Sequence, residues 1–187
     1  MRIIGGKFKG RKLADIKKSD NLRPTTDSNR ENLFNLIESS KYLDFFDLKN
    51  ANLLDCFCGT GAVSFEAISR GAKLAYLIDK NRHNLLLAKK NCQILGLENQ
   101  VKLKNLDISK AKIDFGVEFD LIYLDPPYFE GLIDKTLKNL TEIISKNSLI
   151  ILEYHQTSQP QINDQFECIL SKKYGEIIFD FYRLNAP

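Results

Sequence analysis

An apolar run, Leu121 to Leu124, leads straight into Asp125-Pro126-Pro127-Tyr128. Neither proline has a backbone N–H, and a residue before proline is pushed towards extended conformations. Such a corner presents carbonyl acceptors in a fixed shape, and Asp125 adds a charged one. Its natural partner is a double donor, an exocyclic –NH2 on a flat ring, with Tyr128 as a stacking surface. A second cluster, Asp55-Cys56-Phe57-Cys58-Gly59-Thr60-Gly61-Ala62, also follows an apolar run. Gly59 and Gly61 let backbone approach a ligand closely, and the helix start beyond them supplies free N–H groups. Ser64 only partly matches the third small residue of a dinucleotide fingerprint. Asp55, four residues before Gly59, opposes a pyrophosphate and suits a cationic amino-acid moiety. Two more acids end apolar or alternating runs. Asp79 can accept from ribose hydroxyls or cap a helix. Asp107 and the Ile108 backbone can meet an adenine edge, or Asp107 can be a plain cap.

These residues need elements to position them. From Ala51 the pattern repeats strand, turn, helix: NLLDCF, GTGAVSFEAISRG, LAYLID, RHNLLLAKKNCQILG, VKLKN, FDLIYLD, GLIDKTLKNLTEII, SLIILEY. Alternation of this kind implies an α/β fold with a parallel sheet covered on both faces. The nearly continuous apolar strands agree, because such strands are buried on both sides. Open parallel sheets bind ligands beyond the carboxyl ends of their strands, where Asp55, Asp79, Asp107 and Asp125 all fall. The tail FECILSKKYGEIIFDFYRL reads as an antiparallel hairpin turning at Tyr174-Gly175. The start, RIIGGKFKGRKL, reads as a small basic β-hairpin. In LRPTTDSNRENLFNLIES, Thr26 or Asp27 caps a helix with Leu33, Phe34, Leu36 and Ile37 on one face.

At 187 residues the chain suits one domain with a small appendage. We expect a basic arm over 1–26 and a catalytic domain over 27–187. The net charge of +3 conceals an asymmetry: residues 1–30 carry nine Lys/Arg against three acids, a net +6, and the remainder nets −3. Basic residues gathered at one end suggest a polyanion contact, with a solvated arm as the alternative. No apolar run reads as a signal peptide or membrane span. Four cysteines without regular spacing, and two histidines, fit neither a disulfide framework nor a zinc site. A cytoplasmic protein without a metal is expected. His83 opens a helix and His155 follows the fifth strand, so both read as structural or surface residues.

The motifs D-x-x-x-G-x-G, an acid ending the second strand, and D-P-P-Y ending the fourth resemble S-adenosylmethionine-dependent amino-methyltransferases over residues 51–154. With GGKFKGRKL, LRPTTDSNRENLFN and LDCFCGTGAVSFEAISRGA, nearly the whole chain resembles the bacterial RsmD family, which methylates N2 of a guanine in 16S ribosomal RNA. The resemblance is weakest from Tyr154 to Asp164. It implies a Rossmann-like class I methyltransferase, with a seven-stranded, mostly parallel sheet, the antiparallel C-terminal hairpin and the small N-terminal hairpin. It also implies S-adenosyl-L-methionine as cofactor. Asp55, Phe57, Gly59 and Gly61 would hold its methionine part, Asp79 its ribose, and Asp107 and Ile108 its adenine, with Lys80 also in the cofactor site. Asp125, Pro126 and Tyr128 would bind the guanine. Lys7, Lys9, Arg11, Lys12, Arg23, Thr25 and Arg30 would hold RNA near the catalytic mouth, with the small ribosomal subunit or an assembly intermediate as partner. Many relatives have Glu at Asp79. The nearest rival is a DNA adenine-N6 methyltransferase, which shares the amine chemistry. A nicotinamide oxidoreductase lacks support from DPPY and the glycine pattern, and a noncatalytic RNA-binding module would not need the pocket residues.

Overall fold

The computed structural model describes residues 1–15, 25–111, 114–127, 131–158 and 160–185. Two of the expected site residues, Arg23 and Tyr128, lie outside them. The strands are β1 (Asn52–Asp55), β2 (Leu74–Asp79), β3 (Val101–Asn105), β4 (Leu121–Leu124), β5 (Leu149–His155), β6 (Phe166–Tyr174) and β7 (Ile177–Leu184). The helices are α1 (Asp27–Ser39), α2 (Ala62–Ser69), α3 (Arg82–Leu95) and α4 (Leu132–Leu140). One seven-stranded sheet has the order β3-β2-β1-β4-β5-β7-β6. The first five strands in that order are parallel, and β7 and β6 add antiparallel. The expected α/β architecture and C-terminal hairpin are present.

Residues Leu53 to Asp55, all of β4, and β5 up to Tyr154 are buried. Burial on both sheet faces is what their unbroken apolar runs demand. One core lies between the sheet and α1, α2 and α3, around Phe34, Phe65 and Leu77. The other lies on the opposite face under α4, around Ile122, Leu137 and Leu152. The order changes direction between β1 and β4, and a ligand crevice belongs there, beyond the carboxyl ends of the strands.

Thr26 accepts from Asn29 N at 3.1 Å and starts α1. Its periodic face buries Arg30, Leu33, Phe34 and Ile37. α2 starts after Gly61, whose φ of +77° is left-handed; a Cβ there would stand 2.6 Å from Phe65 and 2.7 Å from Leu77. All eight residues of α2 are buried, because the N-terminal segment covers its outer side. Glu66, fully buried, accepts from Ile4 N and Gly5 N at 2.8 and 2.7 Å and from Arg70 Nε at 2.9 Å. Ser69 bonds Gly5 O and Phe8 N at 2.6 and 2.9 Å.

That clamp alters the expected N-terminal hairpin. Residues 1–13 do fold back, with Ile3 N to Arg11 O at 3.0 Å and Leu13 N to Met1 O at 3.1 Å. The ladder is one antiparallel bridge, Arg2 opposite Lys12, around a 3-10 turn at Gly6–Phe8. Ile4 and Gly5 give their N–H groups to Glu66, so those donors are not available to a facing strand. Ile3 and Leu13 enter the core.

Candidate active site

Strand register gathers the acids. Asp55 pairs with Leu77 on one side and Tyr123 on the other, and Tyr123 pairs with Ile151. Paired positions in a parallel sheet share a face, and side chains repeat every two residues. Asp55 and Tyr123 therefore share the face of α1 and α2, joined two positions further on by Asp79, Asp125 and Glu153. A cavity of about 650 Å³ opens over them, a usual size for a small-molecule site. Its β1–β2 side is formed by Asp55, Phe57, Gly59, Asp79 and Lys80. Its β4–β5 side carries Tyr123, Asp125, Pro126, Pro127 and Glu153, and Thr25, Thr26 and Asn29 close it from the start of α1.

Asp55 is 1% exposed. Its Oδ2 accepts from Ser64 Oγ at 2.6 Å, and its Oδ1 has no hydrogen-bond partner. Burial pushes its pKa up to about 7, against the Ser64 hydrogen bond; repulsion from Asp79 and Glu153 adds to the rise. A buried acceptor oxygen without a donor is costly. Asp55 lines the cavity, with this oxygen shielded from solvent in the wall. Ser64, a partial match to a glycine position in sequence, serves here as the donor that holds this carboxylate.

Asp79 ends β2 and ties the glycine loop to it. Its Oδ2 accepts from Gly59 N at 3.0 Å and Asn84 Nδ2 at 2.9 Å, and its Oδ1 from Asn81 N at 2.8 Å. The Oδ1 of Asn84 is buried without a partner. Asn81 and Asn84 also line the cavity beside Asp79. On the far side, Glu153 is 4% exposed and accepts from the Tyr123 hydroxyl, with Thr25 Oγ1 at 3.4 Å. Burial, reinforced by Glu153, raises the Tyr123 phenol well above its ordinary value, so it stays protonated and donates.

Residues 1–183 match the family model described as "Conserved hypothetical protein 95". The chain is 36% identical over 182 residues to "Ribosomal RNA small subunit methyltransferase D" of Buchnera aphidicola, covering 90% of this chain and 91% of that protein. The Escherichia coli (strain K12) protein of that name is 31% identical, covering 100% and 91%. The chain belongs to the RsmD family. The solved "Putative methyltransferase yhhF from Escherichia coli" superposes with a TM-score of 0.80 at 27% identity, over 100% of this chain and 99% of that one.

Within this RsmD-family chain the expected site residues are not all together. Asp55, Phe57, Gly59, Asp79, Lys80, Asp125, Pro126 and Thr25 share the cavity. Gly61 stands beneath it as the left-handed cap of α2. Asp107 and Ile108 follow β3 outside the cavity wall. Asp107 accepts from Ser109 N and Oγ at 3.2 and 2.6 Å, which lowers its pKa, and Ile108 O accepts from Asn139. Arg30 needs correction as an RNA contact. It is fully buried, donating to Thr25 O and Arg2 O at 2.7 Å and pairing with Asp27 at 2.8 Å. Its position one turn before Leu33 and Phe34 on the buried face of α1 was the signal. It positions Thr25 instead.

Lys7, Lys9, Arg11 and Lys12 are exposed, but three of them are not near the mouth. The Gly6–Phe8 turn sits against Ser69, the last residue of α2, and Arg11 bonds Ile94 O near the end of α3. Both helices begin at the cavity and run away from it, about 12 and 21 Å long for eight and fourteen residues. Sequence reasoning in this family member missed Tyr123, Glu153, Asn81, Asn84 and His155, all in the cavity wall.

Proposed function

We propose that this RsmD-family protein transfers a methyl group from S-adenosylmethionine to the exocyclic N2 of a guanine in small-subunit (16S) ribosomal RNA. The observation that carries the reading is one cavity with two kinds of acceptor. At one end is a buried carboxylate, Asp55, with an unpartnered oxygen; at the other is the donor-poor Asp125-Pro126-Pro127 corner. The first fits a cationic amino-acid end and the second an exocyclic amine. The names of the relatives support ribosomal RNA as the substrate.

The donor set fits S-adenosylmethionine. Asp55 and the Gly59 loop would hold the amino-acid end. Asp79 would meet the ribose, with Lys80 beside it, and an adenine at Asp107 and the Ile108 backbone would have to extend past the cavity wall beyond the end of β3. When bound, this cofactor supplies a methyl group already activated by its sulfonium. The residues of the chain then have one main task, because an exocyclic amine is a poor nucleophile whose lone pair is delocalised into the ring. Asp125 and the Pro126 carbonyl would accept its two N–H bonds, favour a pyramidal nitrogen and aim its lone pair. Positioning of this sort contributes up to roughly 7–11 kcal/mol. Asp125 would orient the amine, and the proton released after transfer would pass to water or to this carboxylate. A guanine entering the cavity must leave any stack, and Tyr128 would replace stacking worth about 1–3 kcal/mol.

The substrate would be the small subunit or an assembly intermediate, with the N-terminal basic residues contacting RNA. The assay is methyl transfer from labelled S-adenosylmethionine to naked 16S RNA, unmodified small subunits, DNA and bulk protein, with product nucleosides identified by mass spectrometry. N2-methylguanosine from RNA or subunits is expected. N6-methyladenine from DNA would overturn the substrate while keeping the amine chemistry.

A further inference from the structure

We infer that Glu153 determines base specificity by accepting the N1–H of the target guanine beside the amine held at Asp125; this rests on the guanine-N2 reading above. The amine-binding corner cannot make this choice alone. Guanine N2 and adenine N6 both present two N–H donors. They differ at the neighbouring ring atom, since N1 carries a hydrogen in guanine and a bare lone pair in adenine. A second acceptor next to the corner welcomes the first and repels the second.

Glu153 is placed to be that acceptor. Leu124, the last residue of β4, pairs with Leu152, so Asp125 leaves the end of β4 next to the strand position held by Glu153. Both face the cavity. The Tyr123 hydroxyl and Thr25 Oγ1 both reach Glu153 Oε2. These bonds set the rotamer of the Glu153 carboxylate at the cavity wall. Tyr123, the strand residue beneath, acts as a positioning residue. The contact costs guanine nothing, whereas a bare ring nitrogen leaves two acceptors face to face in a buried site, the arrangement that discriminates most strongly.

The test uses 2-aminopurine, which keeps the exocyclic 2-amine, lacks O6 and carries a lone pair at N1; the missing O6 is common to both enzymes compared. The analogue is placed in 16S RNA at the position where the methyl product has been mapped, and kcat/KM is compared with guanine there. Wild type should prefer guanine by about 10²-fold, the scale of a hydrogen-bonded base contact. In Glu153→Gln the amide can donate to the bare nitrogen, so the preference should fall to within about threefold. Comparing ratios between enzymes cancels the intrinsic reactivities of the two amines. An equal preference in both enzymes overturns the assignment and leaves Glu153 as an anchor for Thr25. Absence of N2-methyl product from wild type on guanine overturns this inference and its parent reading together. Unchanged S-adenosylmethionine affinity in the variant distinguishes a lost base contact from a misfolded pocket.

Discussion

Two buried carboxylates on the α2 side of the sheet are handled in opposite ways. Glu66, in the middle of α2, is fully engaged: two backbone N–H groups and the Arg70 guanidinium surround it. Asp55, at the end of β1, has one hydroxyl donor, a partnerless oxygen and a pKa pushed up to about 7. Satisfaction marks the first as architecture, since a buried charge without donors is costly. Incompleteness at the second, on the wall of a cavity, is what the proposed cofactor role would account for. The same division separates the carboxyl ends of the strands from the N-terminal segment.

The largest effect that would sharpen this contrast belongs to Asp125. Asp125→Ala should lower methyl transfer by about 10³-fold, the upper range for one positioned polar group, and leave cofactor affinity and folding unchanged. Single-turnover kinetics with calorimetry would show it. Near-normal turnover would remove the amine-holding role. Next is Glu66→Ala, expected to cost about 3 kcal/mol in denaturant unfolding because Arg70 and two N–H groups lose their partner. A loss under 1 kcal/mol would mean that the N-terminal segment is held by apolar contacts alone.

The strand-end half of the site was legible because its residues carry punctuation. Glycines follow Asp55, prolines follow Asp125, and Asp79 stops an apolar run before a helix. Tyr123 and Glu153 lie inside strands whose composition reads as core. Only the pairing of Asp55 with Tyr123 and Tyr123 with Ile151 brings them over the cavity. The N-terminal hairpin was legible as a reversal and illegible as a ladder. Its pairing is limited by a glutamate some sixty residues away in sequence, at a separation of 62 from Ile4. Arg30 was assigned to RNA by resemblance, although it shares the buried face of Phe34 and Ile37.

Asp55 offers a pH test of intermediate size. Its folded pKa is raised from 3.8 to about 7, so between those values the folded state binds the extra proton. Stability is greatest below pH 4 from this group and is lost as pH rises towards 7, by up to about 1.4 kcal/mol per unit. Asp55→Asn should remove that slope, seen as the difference between the two unfolding curves at pH 5 and pH 7. A cationic ligand favours the ionised form, so cofactor affinity should rise over the same window in wild type alone. Equal pH dependence in both proteins would deny Asp55 its raised pKa.

The smallest effect separates the two roles open to the N-terminal segment. Its inner side is architecture: Ile3, Leu13 and the Glu66 clamp. Its outer side presents Lys7 and Arg11 over the Phe8 ring, at 5.4 and 5.8 Å, with Lys9 between them. Reversing Lys7, Lys9 and Arg11 to Glu leaves the inner side intact, so unfolding should change little. If these cations meet phosphates, the slope of log affinity against log salt should flatten by about 2–3, near 0.7–0.9 per contact. Turnover of bound substrate should hold, because the turn lies at the far end of α2 from the cavity. An unaltered salt slope would make this surface a bystander and would place all RNA recognition at the cavity mouth, around Thr25 and the start of α1.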